Sequence, residues 1–173
     1  MQIRDARPGD LPAITEIYAH HVLHGTGTFE EDPPEQADVA ARVRAVQEKG
    51  WPWLVAEDDG GAILGYAYVA QFRPRSAYRF AGEDSVYVRD DVRGQGVGKA
   101  LVAELLVRAE AAGFRQMFAV IGDSENVGSI GLHASLGFRQ VGVLKAAGVK
   151  FGRWVDVVFM QRAVGPGDRD VPE

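Results

Sequence analysis

The 173-residue sequence contains no cysteine, which removes disulfides, thiolate metal sites and a cysteine acyl-enzyme together. Positive charge is also scarce. Nineteen Lys and Arg against 24 Asp and Glu leave a formal net charge of −5, with no basic run, so neither a nucleic-acid groove nor an anionic membrane surface is expected as a partner. No apolar stretch approaches the roughly 20 residues that span a bilayer. The opening Met1-Gln2-Ile3-Arg4-Asp5 lacks the basic-then-apolar pattern of a secretory segment. The expectation left is a cytoplasmic protein whose partners are small molecules or its own copies.

A hydrophobic fraction of 46% is enough for the core of one domain. Gln2 to Ala6 alternates as a short strand, and a helix runs from Asp10 to about His24, with Leu11, Ile14, Ile17, Tyr18 and Val22 on one face. After a loop from Gly25 to Asp32, a polar helix is predicted from Glu35 to Lys49. Trp51 to Glu57 and Ala62 to Phe72 form a hairpin about Asp58-Asp59-Gly60-Gly61. A strand at Ser85 to Arg89 then leads through a glycine-rich stretch into a helix carrying Val97, Leu101, Leu105 and Ala109. A strand at Gln116 to Ile121, a helix at Asn126 to Leu136, and strands at Phe138 to Val143 and Phe151 to Met160 follow. This order gives a single α/β domain over residues 1–163, a mixed sheet with helices on both faces. Residues 164–173, rich in Gly, Pro and Asp, are expected to be a disordered tail.

Arg93-Gly94-Gln95-Gly96-Val97-Gly98-Lys99 lies between a strand and a helix start, where free N–H groups and the helix dipole converge on an anion. The nucleotide P-loop fails on spacing, because the places of its first Gly and its hydroxyl hold Arg93 and Ala100. The dinucleotide fingerprint fails at Lys99, where its third Gly belongs. His20, His21 and His24 do not make a metal site: two in-line ligands are too few, and histidines suit a helix C-terminus.

Val86-Tyr87-Val88 followed by the glycine segment resembles the pyrophosphate loop of the GCN5-related N-acetyltransferase (GNAT) superfamily. Asn126 through Gly137-Phe138 is similar to that superfamily's helix signature, with His133 where a Tyr is usual. Arg73 to Phe80, Glu83 to Val88, Gly27-Thr28-Phe29-Glu30 and Lys150 to Asp156 narrow the resemblance to the phosphinothricin and methionine sulfone/sulfoximine N-acetyltransferases. Ala81-Gly82 departs from their Thr-Val and implies a more flexible loop before Glu83. The resemblance implies a mostly antiparallel sheet, acetyl-CoA as co-substrate and a small-molecule amine as acceptor. It also implies a homodimer, with the segment Lys150 to Asp156 near the interface.

Acyl transfer to an amine needs a deprotonated amine, a stabilised oxyanion and a protonated leaving thiolate. The resemblance makes Glu83 the base and Val86, Tyr87 and Val88 the strand whose backbone N–H holds the oxyanion. His133 titrates in the useful range and serves either proton transfer. The glycine loop, Arg93, Gln95, Lys99 and Asn126 are assigned to CoA, although Asn126 also fits a helix cap. Arg73 and Arg75 can clamp an acid group with forked donors, while Thr28, Phe29, Glu30, Asp84 and Ser85 complete the acceptor pocket by resemblance. Other readings stay open: acetylation of a peptide N-terminus or a polyamine, and a non-catalytic acyl-CoA sensor.

Overall fold

Two helices cover one face of a seven-stranded sheet and two cover the other. The computed structural model describes residues 1–172. In chain order the elements are β1 (Gln2–Asp5), α1 (Leu11–His24), α2 (Gln36–Gln47), β2 (Trp53–Glu57), β3 (Ile63–Gln71), β4 (Ala81–Val88), α3 (Val97–Ala111), β5 (Gln116–Gly122), α4 (Val127–Ser135), β6 (Arg139–Lys150) and β7 (Arg153–Ala163). The sheet order is β1-β2-β3-β4-β5-β7-β6. All neighbours are antiparallel except β4 and β5, which need the helical crossover α3 because parallel strands cannot be joined by a tight turn.

Strand alternation decides which helix covers which face. Trp53, Val55 and Tyr66 point to α1 and α2, where they meet Ile14, Ile17, Tyr18, Val22, Val39 and Val43. Leu54, Ala56 and Ala67 point to Val97, Leu101 and Leu105 of α3 on the other face. Farther along, Val69, Met117, Ala119 and Met160 pack with Val102, Leu106 and Phe114. Each of these buried Val, Leu, Ile and Met side chains contributes about 1.5–3 kcal/mol of transfer free energy.

Among the boundaries that differ from the sequence expectation, three have a physical reason in the packing or the turns. β4 starts at Ala81, not Ser85, so Ala81-Gly82 is sheet and not a flexible loop. A Cβ on Gly82 would lie 2.6 Å from Val69 Cγ2 and 3.1 Å from Phe114 Cδ1; only glycine fits, and glycine masks strand propensity. β6 continues to Lys150, past the expected end at Val143, with register shifts at Gln140/Gly142 and Leu144/Gly148. These shifts and its Gly and Ala residues erase the period-2 pattern. Finally, Phe151-Gly152, expected to begin a strand, is a two-residue turn with φ of 53° and 72°, the left-handed pair that suits a hairpin. At the C-terminal end, where composition predicts disorder, Val164 is buried. Arg115 there bonds the Gly167 carbonyl at 3.4 Å and Asp170 at 2.7 Å.

Candidate active site

β4 and β5 pair only from Ala81↔Gln116 to Asp84↔Ala119. Beyond that β4 stays on β3 as far as Val88, and β5 stays on β7 as far as Gly122. The strands therefore splay, and the facing edges of Ser85–Val88 and Val120–Gly122 have no strand partner on that side. Unpaired backbone groups inside a fold call for a ligand or water. The gap is a cleft of about 1020 Å³, at the upper end of ordinary ligand sites.

At one end lies the N-terminus of α3. Gly94 and Gly96 take φ of 75° and 83°, open to glycine at little cost. No side chain caps the helix, so its first-turn N–H groups are free for an anion. Arg93, Gly94, Gly96, Val97, Gly98 and Lys99 all line the cleft, whereas Gln95 does not; its amide lies 3.5 Å from the Asp91 carbonyl. Gly98 has a packing reason as well, since a Cβ there would stand 2.7 Å from Leu132 Cδ1 of α4. Asn126 lines the cleft and caps α4. Its Oδ1 accepts from Ser129 N–H at 3.1 Å, and its Nδ2 donates to the Gly122 carbonyl at 3.2 Å.

The two candidate proton carriers fall on opposite faces of β4. Glu83 and Ser85 share the face of Tyr68 and Tyr87, toward α1 and α2. Asp84 and Val86 face α3 and α4. The Glu83 side chain is one-third exposed and 3.9 Å from Arg73. Burial raises its pKa, the Arg73 guanidinium partly offsets this, and the neighbouring Asp84 charge adds to the rise. His133 is only 3% exposed, with Nε2 at 3.0 Å from Asp84 Oδ2 and Nδ1 at 2.8 Å from the Ser129 carbonyl. A carbonyl can only accept, so Nδ1 carries a proton, and one further proton is shared between Nε2 and the carboxylate. Burial pulls the imidazole pKa down, but the hydrogen bond and charge of Asp84 overcome it and hold the pKa above its usual value. Asp84 Oδ1 is buried without a partner.

Several expected contacts are not assembled. Asp84 is on the face opposite Glu83 and bonds His133, because neighbouring strand residues point to opposite sides. Arg73 and Arg75 are exposed and do not line the cleft. Arg73 stacks 4.1 Å over the Phe72 ring and donates to the Phe72 carbonyl. Glu30 is outside the cleft lining and is held by Arg42 of α2 at 2.7 and 3.1 Å. Thr28 and Phe29 do line it, as do Glu83, Asp84, Ser85, Val86, Tyr87, Val88 and His133.

The sequence and the fold match known proteins. The acetyltransferase (GNAT) domain profile matches residues 3–159. The chain belongs to the GNAT acetyltransferase family. This acetyltransferase is 55% identical to the phosphinothricin N-acetyltransferase of Alcaligenes faecalis over 171 residues, 99% of this chain and 86% of the relative. It is 44% identical to the L-methionine sulfoximine/L-methionine sulfone acetyltransferase of Pseudomonas aeruginosa, with 95% of each chain covered. Among solved structures, a GNAT superfamily phosphinothricin acetyltransferase from Sinorhizobium meliloti, in complex with AcCoA, superposes with a TM-score of 0.96. That pair is 49% identical, over 99% of this chain and 92% of the other.

Residues that sequence reasoning passed over also shape the cleft of this GNAT domain. Tyr68 lines it beside Glu83, and strand alternation from Glu83 through its partner Ala70 would have placed it there. His21 Nε2–H donates to the Val88 carbonyl at 2.8 Å, closing the end of β4. Tyr18 OH and Thr28 Oγ1, 2.9 Å apart, tie α1 to the loop that carries Phe29. No local pattern announces either pair.

Proposed function

We propose that this enzyme transfers an acetyl group from acetyl-CoA to the α-amino group of an amino-acid-like acceptor of the phosphinothricin or methionine sulfoximine type. The splayed β4–β5 cleft carries the reading, because it has an anion-binding helix start at one end and a carboxylate of raised pKa on the opposite face of β4. The names of the relatives point to the same chemistry.

The free N–H groups of Gly94 to Lys99, with Arg93 and Lys99, would hold the CoA pyrophosphate, and Asn126 would add a polar contact. Bound there, acetyl-CoA supplies a thioester carbonyl to the gap beside β4. A backbone N–H of Val86 to Val88 faces the charge that develops on the carbonyl oxygen. Glu83 takes a proton from the acceptor's ammonium, directly or through a water, and the freed nitrogen lone pair forms the new C–N bond; as the C–S bond breaks, the nitrogen releases its second proton to solvent and becomes the neutral amide. The sulfur then needs one proton. His133 with Asp84, on the cofactor face, fits as its store; with both ring nitrogens engaged, His133 is a poor choice for the primary base. Tyr68, Ser85, Thr28 and Phe29 wall the acceptor, and Arg73, outside the cleft lining but 3.9 Å from Glu83, offers a cation to its acid group from the rim. Glu30 and Arg75 act at most from outside the cleft.

Val149, Phe151 and Trp154 are exposed together on the β6–β7 hairpin, Trp154 at 68%. Such a patch fits a homodimer interface. No described helix is long and apolar enough to cross a membrane, and we place the enzyme in the cytoplasm.

Thiol release from acetyl-CoA tests the reading, with methionine sulfoximine, methionine sulfone, phosphinothricin, standard amino acids, spermidine and a short peptide as acceptors. Turnover concentrated on the sulfur and phosphorus amino acids is expected. Turnover on spermidine or peptide alone would sink the acceptor assignment, and CoA binding without turnover on any amine would favour a sensor.

A further inference from the structure

Lys150 is 2% exposed, which is rare for a lysine and costly unless the ammonium is hydrogen-bonded. It closes β6 just before the Phe151-Gly152 turn. Its Nζ donates to the carbonyls of Gly25 and Thr28, both at 2.8 Å and more than 120 residues away in sequence. One cation thus pins both ends of a four-residue arc in the loop between α1 and α2. The arc has no ladder of its own to hold it, and besides Lys150 its firmest side-chain tie is Thr28 Oγ1 to Tyr18 OH at 2.9 Å. Gly25 N–H bonds the His21 carbonyl at 2.9 Å, and Thr26 Oγ1 is a loose 3.4 Å from the Gly122 carbonyl.

The arc and the residue after it, Phe29, line the cleft. Phe29 sits where two strands lack side chains: a Cβ on Gly148 of β6 would lie 2.7 Å from Phe29 Cε2, and one on Gly122 of β5 would lie 2.7 Å from Phe29 Cε1. Ammonium and glycines therefore fix one wall from two sides. The phosphate-binding start of α3 belongs to a different part of the chain and makes none of these contacts. Because Lys150 itself does not line the cleft, anything it does for the acceptor is done through the loop.

We propose that Lys150 is a positioning residue that sets acceptor selectivity by clamping the Gly25–Thr28 arc, and with it Phe29, as the fixed wall of the acceptor end of the cleft. The inference rests on the acceptor assignment made above.

The test compares wild type, Lys150→Met and Gly148→Ala on a ladder of amino-acid acceptors of increasing side-chain bulk, with KM and kcat measured separately and acetyl-CoA affinity by calorimetry. Lys150→Met leaves two carbonyls unpaired and frees the wall. It is expected to raise KM for the preferred acceptor roughly ten- to hundredfold, with a smaller change in kcat, flattened preference over bulkier acceptors and unchanged acetyl-CoA affinity. Gly148→Ala displaces Phe29 with Lys150 in place and is expected to alter the same preference, so it decides the matter if Lys150→Met does not fold. Unchanged preference in the folded variants, or acetyl-CoA affinity that falls in step with KM, overturns the proposal. Amide exchange at Thr26 to Phe29 reads the clamp without any acceptor: faster exchange in Lys150→Met supports it, and unaltered exchange overturns it. If wild type acetylates no member of the ladder, the functional reading fails, and the exchange measurement alone decides the clamp.

Discussion

Replacing Asp84 by Asn is expected to destabilise the fold by an amount that depends steeply on pH. In the wild type the buried imidazolium donates from both nitrogens, to Asp84 and to the Ser129 carbonyl. Its pKa is held above the usual value by the carboxylate, against burial. The stability this group contributes is therefore complete below its unfolded pKa of about 6.5 and is lost as pH rises through the folded value. In Asp84→Asn the carboxylate is gone and burial dominates, so the folded pKa falls below the unfolded one and the sign reverses: stability is complete above about 6.5 and is lost as pH falls. At alkaline pH the new amide can turn its NH2 toward Nε2 while Nδ1–H keeps the Ser129 carbonyl, and the cost is about 1 kcal/mol or less, that of a well-matched exchange of buried hydrogen bonds. At acid pH the imidazolium is left without its counter-charge, which costs about 3–5 kcal/mol. Between these limits the difference between wild type and variant shrinks with rising pH by at most about 1.4 kcal/mol per unit. Urea denaturation at several pH values from 5.5 to 8.5 (a range set by the histidine titration, about 6.5 in the unfolded chain) measures it, and imidazole NMR follows His133 directly. A difference that stays constant across the range would refute the shared-proton account of this pair.

Other perturbations give equally definite expectations. Gly82→Ala inserts a Cβ 2.6 Å from Val69 Cγ2, and thermal denaturation should show a loss of about 1–3 kcal/mol, the usual cost of overpacking a core. Arg93→Ala should weaken CoA binding measured by calorimetry, with a smaller penalty at high salt where the charge is already screened, while leaving acceptor preference alone. Trp154→Glu places a charge on the exposed β6–β7 patch; on the homodimer proposed above, light scattering should show the wild type as a dimer and the variant as a monomer.

The helices were legible because their apolar residues repeat with the helical period and their ends carry glycine or acid signals; α1 and α3 fall within a residue or two of expectation. The strand segments that escaped were the start of β4, where Gly82 serves the packing, and the second half of an irregular β6, where Gly148 makes room for Phe29 and the register shifts. In the site, the glycine loop was legible because an anion-binding turn requires glycine at fixed places. The separation of Glu83 from Asp84 was legible in principle from strand alternation, but only once β4 was known to begin at Ala81. Lys150 was hidden, because its partners are far away in sequence and a lysine in a strand ordinarily signals solvent; the Tyr18–Thr28 link was hidden because it joins a helix to an irregular loop with no periodic pattern. Arg73 stacks instead on its neighbour Phe72, a competition that the sequence of the pair does not announce.

The most direct test of the account is the pH dependence of kcat/KM for wild type and Glu83→Gln, with the preferred amino-acid acceptor and saturating acetyl-CoA. The account predicts that the wild type loses activity on the acid side through a group titrating above the ordinary glutamate value of about 4.3. In the variant the rate should fall roughly 10²- to 10⁴-fold, the range for a lost general base, with acetyl-CoA still bound. A Glu83→Gln enzyme that keeps the wild-type rate and profile would contradict it.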